Sequence, residues 1–449
     1  MTDLFFCNGG ADKEAEKLKK KIIYSPNISV KEKNVYYVSS NGNDQNDGLT
    51  PDSPIKSFSR VNALPLRAGS VVLFERNSVF RESVQLFVRG GVKYSAYGSG
   101  LKPLILGSLI DYAVADLWNK NKTENIWELP LNTDEVGLIS FNFDSLIGWR
   151  KFSISDLTAD GEFFHDLEKN TLYLYCGRGN PGEIYENIEI ATAKDLVYAQ
   201  NVNHVSISNL AFKYATFCPF TLGNNKEIEM FDLEISWIGG RLFTKRENNY
   251  ILYGNALEFW YRAYDISVKR CWIHQIFDAA LTFQGFGDDR PEFINIDFSD
   301  NLIEYCSMNF EFWAGNQGDG FESIIENIYF AKNIIRFGGY GWGGIQRPDK
   351  GDQALILGWN RLYNQMKNFV VTDNILDCAD GNIIFTKGPN EQKGLTVNNN
   401  TYYQKAHVPT HKFNEIVRGS GQCASNQAEF EREIAQFEIS PKKVEWLTD

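Results

Sequence analysis

The chain has 449 residues, of which 43% are hydrophobic and 14% aromatic, enough to bury a large core and too many for a disordered polymer. Its 57 acidic residues outnumber 45 basic ones, a net charge of -12. No long basic run is present, which argues against nucleic acid and anionic membrane surfaces as partners, and no apolar stretch approaches the roughly 20 residues needed to cross a bilayer.

The start, MTDLFFCNGG, has no basic segment followed by an apolar one, so the direct reading is a cytoplasmic protein. A secreted protein trimmed at its start would read the same. Residues 11–23, ADKEAEKLKKKII, carry helical charge patterning and predict a short amphipathic cap within an N-terminal extension, 1–33. A strand follows in VYYVSSNGNDQNDGLTPDSPIKSFSRV, then a loop of turn-forming residues and a Ser-Pro exit. SVVLFERNSVFRESVQL and VKYSAYGSGLKPLILGS supply short Gly-divided strands, which completes a first set of coils over 34–110. Over 111–189 the pattern changes: WNKNKTENIWELPL, GEFFHDLEKNTLYLYC and NPGEIYENIEIA read as hairpins of a β-rich insertion.

From 190 to 412 the chain repeats. The segments HVSISNLAF, EMFDLEI, ISVKRCWI, IDFSDNLI, IYFAKNII, FVVTDNIL and LTVNNNTY align, and four of them place Asn at one position: Asn301, Asn333, Asn374 and Asn400. The aligned residues Leu210, Leu233, Cys271, Asn301, Asn333, Asn374 and Asn400 are 23, 38, 30, 32, 41 and 26 residues apart. Coils of roughly 22 residues with turn insertions of variable length give such a series. A β-sandwich rarely repeats one register seven times, and a propeller keeps a stricter period. The fold class is therefore all-β: a right-handed parallel β-helix with an inserted β-rich subdomain and short helical caps at both ends. Stacked Asn side chains fix the corner by bonding to each other and to turn backbone. The helix expected in NQAEFEREIAQF closes the tail, 413–449.

Each repeat carries a second strand: GNALEFW (254–260), DAALTFQ (278–284), SMNFEFW (307–313), YGWGGIQR (340–347) and GNIIFTK (381–387). Alternation turns Leu257, Phe259, Leu281, Phe283, Phe310, Phe312 and Ile345 inward. Two outward columns result: Glu258, Thr282, Glu311, Gly344 in one, and Trp260, Gln284, Trp313, Gln346 in the other. Adjacent coils stack ~4.8 Å apart, which puts Glu258 and Glu311 about 10 Å apart. Exposed Trp is costly unless it makes a contact, and an aromatic face packs against the apolar face of a sugar ring. Two carboxylates beside such platforms suit glycoside hydrolysis, which needs ~6.5–9.5 Å between carboxyl groups for inversion and ~5–5.5 Å for retention. Asp278 begins the middle strand and lies closer to either Glu. The choice of pair among Glu258, Asp278 and Glu311 is open at this stage. The bland alternative is that these acids are solvated and the Trp residues covered by a loop.

A second polar column, Ser236, His274, Glu304, Arg336 and Asp377, alternates in sign and reads as a structural ion ladder worth ~0–1 kcal/mol per exposed pair, with His274 the member placed to touch ligand. GGYGWGGIQRPDK offers Arg347 and Asp349 as sugar-binding groups on a Gly-rich loop, and ISWIGGRLF offers Trp237 beside a Gly turn. Five dispersed His residues give no zinc spacing, there is no GxSxG, and the seven scattered cysteines (Cys7, Cys176, Cys218, Cys271, Cys306, Cys378, Cys423) read as reduced core thiols. Carboxylate chemistry is what remains, and no cofactor or metal is called for.

The opening YYVSSNGNDQNDGLTPDSPIKSF and the Asn-cornered coils resemble the pectate-lyase-like superfamily of right-handed β-helix proteins. The insertion with GEFFHDLEKNTLYLYC looks like that of β-helix glycoside hydrolases of families 120 and 141. The resemblance implies paired acids on the helix face, carried here onto Glu258, Asp278 and Glu311, with an oligo- or polysaccharide as substrate. Lyases of this fold imply instead a Lys or Arg base with Ca²⁺ held by clustered acids. Arg347, Lys350 or Lys387 would supply that base, but no stacked Asp cluster lies on the columns. A third reading is a carbohydrate-binding β-helix without activity. Homo-oligomerisation along a helix face is compatible with all three.

Overall fold

The computed structural model of the chain describes residues 8–246, 249–286, 290–315, 323–347, 353–360, 364–387, 394–405, 424–438 and 440–448. Short parallel strands wind around three faces, coil upon coil. The first face runs from Val197–Gln200 through the early parts of Phe220–Phe231 and Leu257–Lys269 to Ala279–Phe286, Met308–Gly315, Ala354–Asn360 and Asn382–Lys387. The second takes the later parts of the same two long strands and continues through Glu292–Ser299, Ser323–Ala331, Asn364–Thr372 and Leu395–Asn398. The third, or back, face stacks strands from Val79–Arg81 to Lys443–Leu447. The architecture is a parallel β-helix.

Its interior follows the alternation of the sequence. Leu257, Phe259, Leu281, Phe283, Phe310 and Phe312 are wholly buried; Phe283 and Phe312 stack between adjacent coils at 6.2 Å, and within one coil the rings of Phe310 and Phe330 lie 4.3 Å apart and nearly parallel. A fully buried Phe of this kind contributes about 2–3 kcal/mol.

The corner between the second and back faces is set by two successive residues. Asp300, Lys332, Asp373 and Asn399 each adopt a left-handed backbone conformation, with φ of 58°, 57°, 55° and 58°, and the Asn that follows turns inward. Asn301 Nδ2 donates to Asn333 Oδ1 at 3.0 Å, Asn333 to Asn374 at 3.0 Å, and Asn374 to Asn400 at 3.0 Å. Each Oδ1 also accepts the backbone N–H of the Asn one coil earlier at 2.9 Å. A buried amide is tolerated only when its groups are paired, and stacking pairs them. At the far end Glu438 takes the place of a further Asn: its carboxylate accepts from Asn400 N at 2.9 Å, Asn400 Nδ2 at 3.0 Å and Tyr402 Oη at 2.5 Å.

Helices form near both termini. Gln427–Ile434 has Asn426 as its N-cap, accepting from Glu429 N at 3.1 Å, and buries Phe430 and Ile434 in the main core. The N-terminal helix Asp12–Ile23 does not close a coil end. It lies along the back face, packing Ala15 and Ile22 on Trp272, Leu302 and Ile334. The reason is the polar column, in the expected register His274, Glu304, Arg336, Asp377. Asp377 accepts Gly10 N at 2.9 Å and Ala11 N at 3.0 Å, so a carboxylate meets the positive end of the helix, and Asp12 pairs with Arg336. The ladder is therefore covered, not exposed: Arg336 and Asp377 are buried, and their closest approach is 3.5 Å.

Residues between Tyr112 and Ile190 gather a separate apolar cluster including Trp118, Phe141, Phe163, Leu172 and Tyr185. Five strands, among them Ile126–Pro130, Glu162–Asp166 and Thr171–Tyr175, form a sheet over it. Arg81 and Glu189 tie it to the coils at 2.7 Å. Among the described residues, no helix is long and apolar enough to cross a membrane.

Candidate active site

The first face holds both outward columns in register. Glu258 pairs with Thr282 and Thr282 with Glu311, while Trp260 pairs with Gln284 and Gln284 with Trp313. Beyond Glu311 and Trp313 the expected partners Gly344 and Gln346 are absent. The backbone register of Glu311 and Trp313 continues instead to positions 357 and 359, because Trp342–Gln346 is a helix inside the turn, with Ile345 part of it and only half-buried. Its glycines permit the packing: a Cβ on Gly343 would lie 2.2 Å from the Phe277 carbonyl oxygen.

A cavity of about 440 Å³ opens on this face. Trp260, Gln284, Trp313 and Glu258 line it together with Phe217, Cys218, Tyr253, Tyr261 and Phe243. Both Trp residues are half-buried, as walls rather than free platforms. The aromatic lining packs in two groups: Tyr253 against Phe217 at 4.9 Å and Phe243 at 5.9 Å, and Trp260 against Tyr261 at 5.3 Å.

Glu258 and Glu311 are each only 8% exposed. Glu258 Oε1 accepts from Tyr253 Oη at 2.6 Å, and Oε2 from Cys218 Sγ at 3.2 Å. Tyr253 Oη in turn accepts from Asn255 Nδ2 at 2.8 Å, and Asn255 Oδ1 is fixed by Ala279 N at 2.8 Å. Burial pushes the Glu258 carboxyl above the usual carboxylate range; the Tyr253 and Cys218 hydrogen bonds pull the other way, and the charge of Asp278 adds to the rise. The Cys218 thiol is likewise pushed well up by burial, so it stays protonated and donates. Glu311 Oε2 is held by Gln284 Nε2 at 2.6 Å and Thr282 Oγ1 at 3.4 Å. Thr282 itself is wholly buried and reaches the cavity only through Gln284, which donates to it at 3.0 Å.

The other expected site residues lie elsewhere. Asp278 is 1% exposed and forms an ion pair with Arg347. Arg347, also buried, donates to the Leu252 carbonyl oxygen at 3.1 Å. Together they brace the hairpin Arg241–Arg246/Asn249–Tyr253 through its Leu252 carbonyl oxygen, and neither lines this cavity. Trp237 is buried in an apolar cluster with Tyr214, Phe277 and Trp342. His274 is on the back face, its ring stacked 3.8 Å from Trp272, and burial holds its imidazole well below the ordinary value. Asp349 and Lys350 fall outside the described residues, as does the side chain of Lys387. Among the described residues no three His, Cys, Asp or Glu side chains converge as a metal would need.

Three residues of the cavity carry no repeat signal. Tyr253 belongs to the hairpin, whose strand–polar turn–strand pattern RLFTKRENNYILY is readable in the sequence. Gly239 and Gly254 let its base close, since a Cβ on Gly254 would sit 2.1 Å from the Gly239 Cα. Cys218 sits in a turn. Asp195 precedes the strand Val197–Gln200, where the chain re-enters the coils from the insertion; it is half-buried, and burial raises its carboxyl.

No protein-family model matches the sequence, and no curated protein matches it. Solved structures do. XylC in complex with xylose superposes with a TM-score of 0.51 at 12% identity, covering 83% of this chain and 66% of that one. A structure described as a glycoside hydrolase gives a TM-score of 0.41 at 12% identity over 92% of this chain and 96% of that one. The GH136 lacto-N-biosidase from Eubacterium ramulus gives 0.37 at 15% identity over 97% and 69%. What is shared is the fold. This chain spans just under two thirds of XylC, and at such identity the likeness extends to the coil architecture alone.

Proposed function

We propose that the chain is a carbohydrate-active enzyme, a glycoside hydrolase that cleaves an oligo- or polysaccharide at the cavity on its first face. The observation that carries this is Glu258: a carboxyl raised by burial, oriented by Tyr253 and Cys218, in the wall of a cavity lined by Trp260, Trp313 and five further aromatic rings. Aromatic rings receive the C–H faces of a sugar. A carboxyl raised above its ordinary range is what the departing glycosidic oxygen needs as a proton donor. Glu258 serves as the acid, delivering its proton to that oxygen as the bond to the anomeric carbon breaks. Gln284, its amide N–H₂ fixed on Glu311 and Thr282, offers its amide oxygen as an acceptor to a sugar hydroxyl.

The test is a panel of 4-nitrophenyl glycosides and plant, host and bacterial glycans, read by product mass. Hydrolysis adds the mass of water across the products, and elimination does not. Turnover with added water, reduced at least 100-fold in Glu258→Gln, is the expected result. Products with an unsaturated bond, binding without turnover, or an undiminished Glu258→Gln each reject it.

A further inference from the structure

We propose that Asp195 is the second carboxylate of this site, acting opposite Glu258 across a bond that joins one sugar unit on either side of it. This rests on the hydrolase reading above and names the residue that completes it.

The backbone brings Asp195 there. Phe217 N donates to the Lys194 carbonyl oxygen at 3.2 Å, and Leu196 N to that of Pro219 at 3.0 Å. Asp195 thus lies directly opposite Cys218. Its carboxylate meets the Cys218 backbone N–H, while the Sγ of the same residue donates to Glu258. One residue therefore spans the two acids. Both acids also line the one cavity, as a two-carboxylate hydrolysis requires.

The competing acids are committed elsewhere. Asp278 is paired with Arg347, and Glu311 is held by Gln284 and Thr282; neither lines the cavity, whereas Asp195 does.

A second cavity, of about 470 Å³, adjoins the first, and the residues common to both are Lys194 and Asp195. Phe87 and Glu82 line its far side. Each cavity has the size of a small-molecule site. A saccharide with one ring in each places its connecting bond over Asp195, so the substrate is at least a disaccharide.

The two carboxyl groups divide the chemistry by their surroundings. Burial raises both carboxyl groups, but at Asp195 the charge of Lys194 and a backbone N–H oppose that rise and favour the ionised form, whereas at Glu258 the charge of Asp278 adds to it. Asp195 then takes a proton from water as the water oxygen bonds to the anomeric carbon. Glu258 gives its proton to the leaving oxygen as the glycosidic bond breaks. The sum is one water consumed and two hydroxyl products, and both carboxyl groups reset by proton exchange with solvent.

The experiment uses the full chain and whichever 4-nitrophenyl disaccharide the wild type hydrolyses. Asp195→Asn keeps an acceptor for Cys218 N–H and is expected to fold, with kcat down at least 100-fold and KM within threefold. In Asp195→Ala, sodium azide is expected to restore turnover at least tenfold and leave a glycosyl azide identified by mass. Should Asp195→Asn fail to fold, Asp195→Glu decides: a tenfold or larger loss supports the assignment. Activity within tenfold of wild type in a folded Asp195→Asn, no azide rescue in a folded Asp195→Ala, or full activity in Asp195→Glu overturns it while leaving the hydrolase standing. A wild type that turns over none of the glycans removes both.

Discussion

The Tyr253 hydroxyl lies 2.6 Å from Glu258 Oε1 and donates to it, while accepting from Asn255. This bond favours the ionised carboxylate and so restrains the rise that burial imposes on Glu258. Tyr253→Phe removes the restraint. The Glu258 carboxyl then moves higher still, and an enzyme that needs it protonated keeps its activity further into alkali. The alkaline limb of the kcat/KM profile is expected to shift upward by about one pH unit, with a fall of about tenfold in kcat from lost orientation. A limb that stays in place, or moves toward acid, removes Glu258 from the acid role.

Trp260 and Trp313 stand on one column with Gln284 between them, and both line the cavity. Because each is only half-buried, truncation loses ligand contact more than core packing. Trp260→Ala and Trp313→Ala are each expected to weaken saccharide binding by about 1–2 kcal/mol, or about five- to thirtyfold, in KM or in calorimetric Kd. Tm should fall by no more than a few degrees. Unchanged binding in both variants would move the sugar to another surface.

The columns were legible because side-chain direction in a strand is fixed by parity: once Phe283 and Phe310 are inward, Thr282 and Glu311 have no other direction. The Asn corner was legible for the same reason, since Asn301 to Asn400 recur at one register. Parity fails where the chain leaves the coil. The 41-residue step from Asn333 to Asn374 holds a helix, so YGWGGIQR was assigned a strand that Ala354–Asn360 supplies instead. Asp278 at a strand start and Arg347 on a Gly-rich loop read as site residues, and no periodicity shows that the two form an ion pair with each other. Asp195 and Tyr253 were missed because they lie on connections, whose position depends on long-range closure that periodicity does not encode.

The inserted subdomain reaches the cavity through Glu135. Its Oε1 takes Arg150 Nη1 at 2.7 Å and its Oε2 the backbone N–H of Leu242 at 2.9 Å, so one buried carboxylate joins the insertion to the hairpin carrying Phe243 and Tyr253. Phe152 and Tyr250 stack 3.6 Å apart across the same junction. Glu135→Ala leaves Arg150 buried without that partner, a loss of about 3–5 kcal/mol. Thermal unfolding should show it, and any activity remaining at low temperature should carry a raised KM, since the hairpin is no longer pinned over the cavity. Wild-type stability in this variant would mean that the insertion and hairpin are joined by the aromatic stack alone.

The end of the Asn ladder makes a separate claim about stability. Glu438 satisfies two donors on Asn400 and the Tyr402 hydroxyl, all in the core beneath the C-terminal helix. Glu438→Leu fills the space and strands those three donors, at about 1–3 kcal/mol each where water is excluded. Glu438→Gln keeps acceptors for two of them and turns its amide N–H₂ toward the third. Chemical denaturation should therefore rank wild type above Glu438→Gln, and Glu438→Gln above Glu438→Leu by several kcal/mol. The loss should appear first as exchange of the Asn400 and Asn374 amides, because the ladder is a series and opens from its free end. Equal stability of the two variants would show that the corner is held by packing, with the hydrogen bonds incidental.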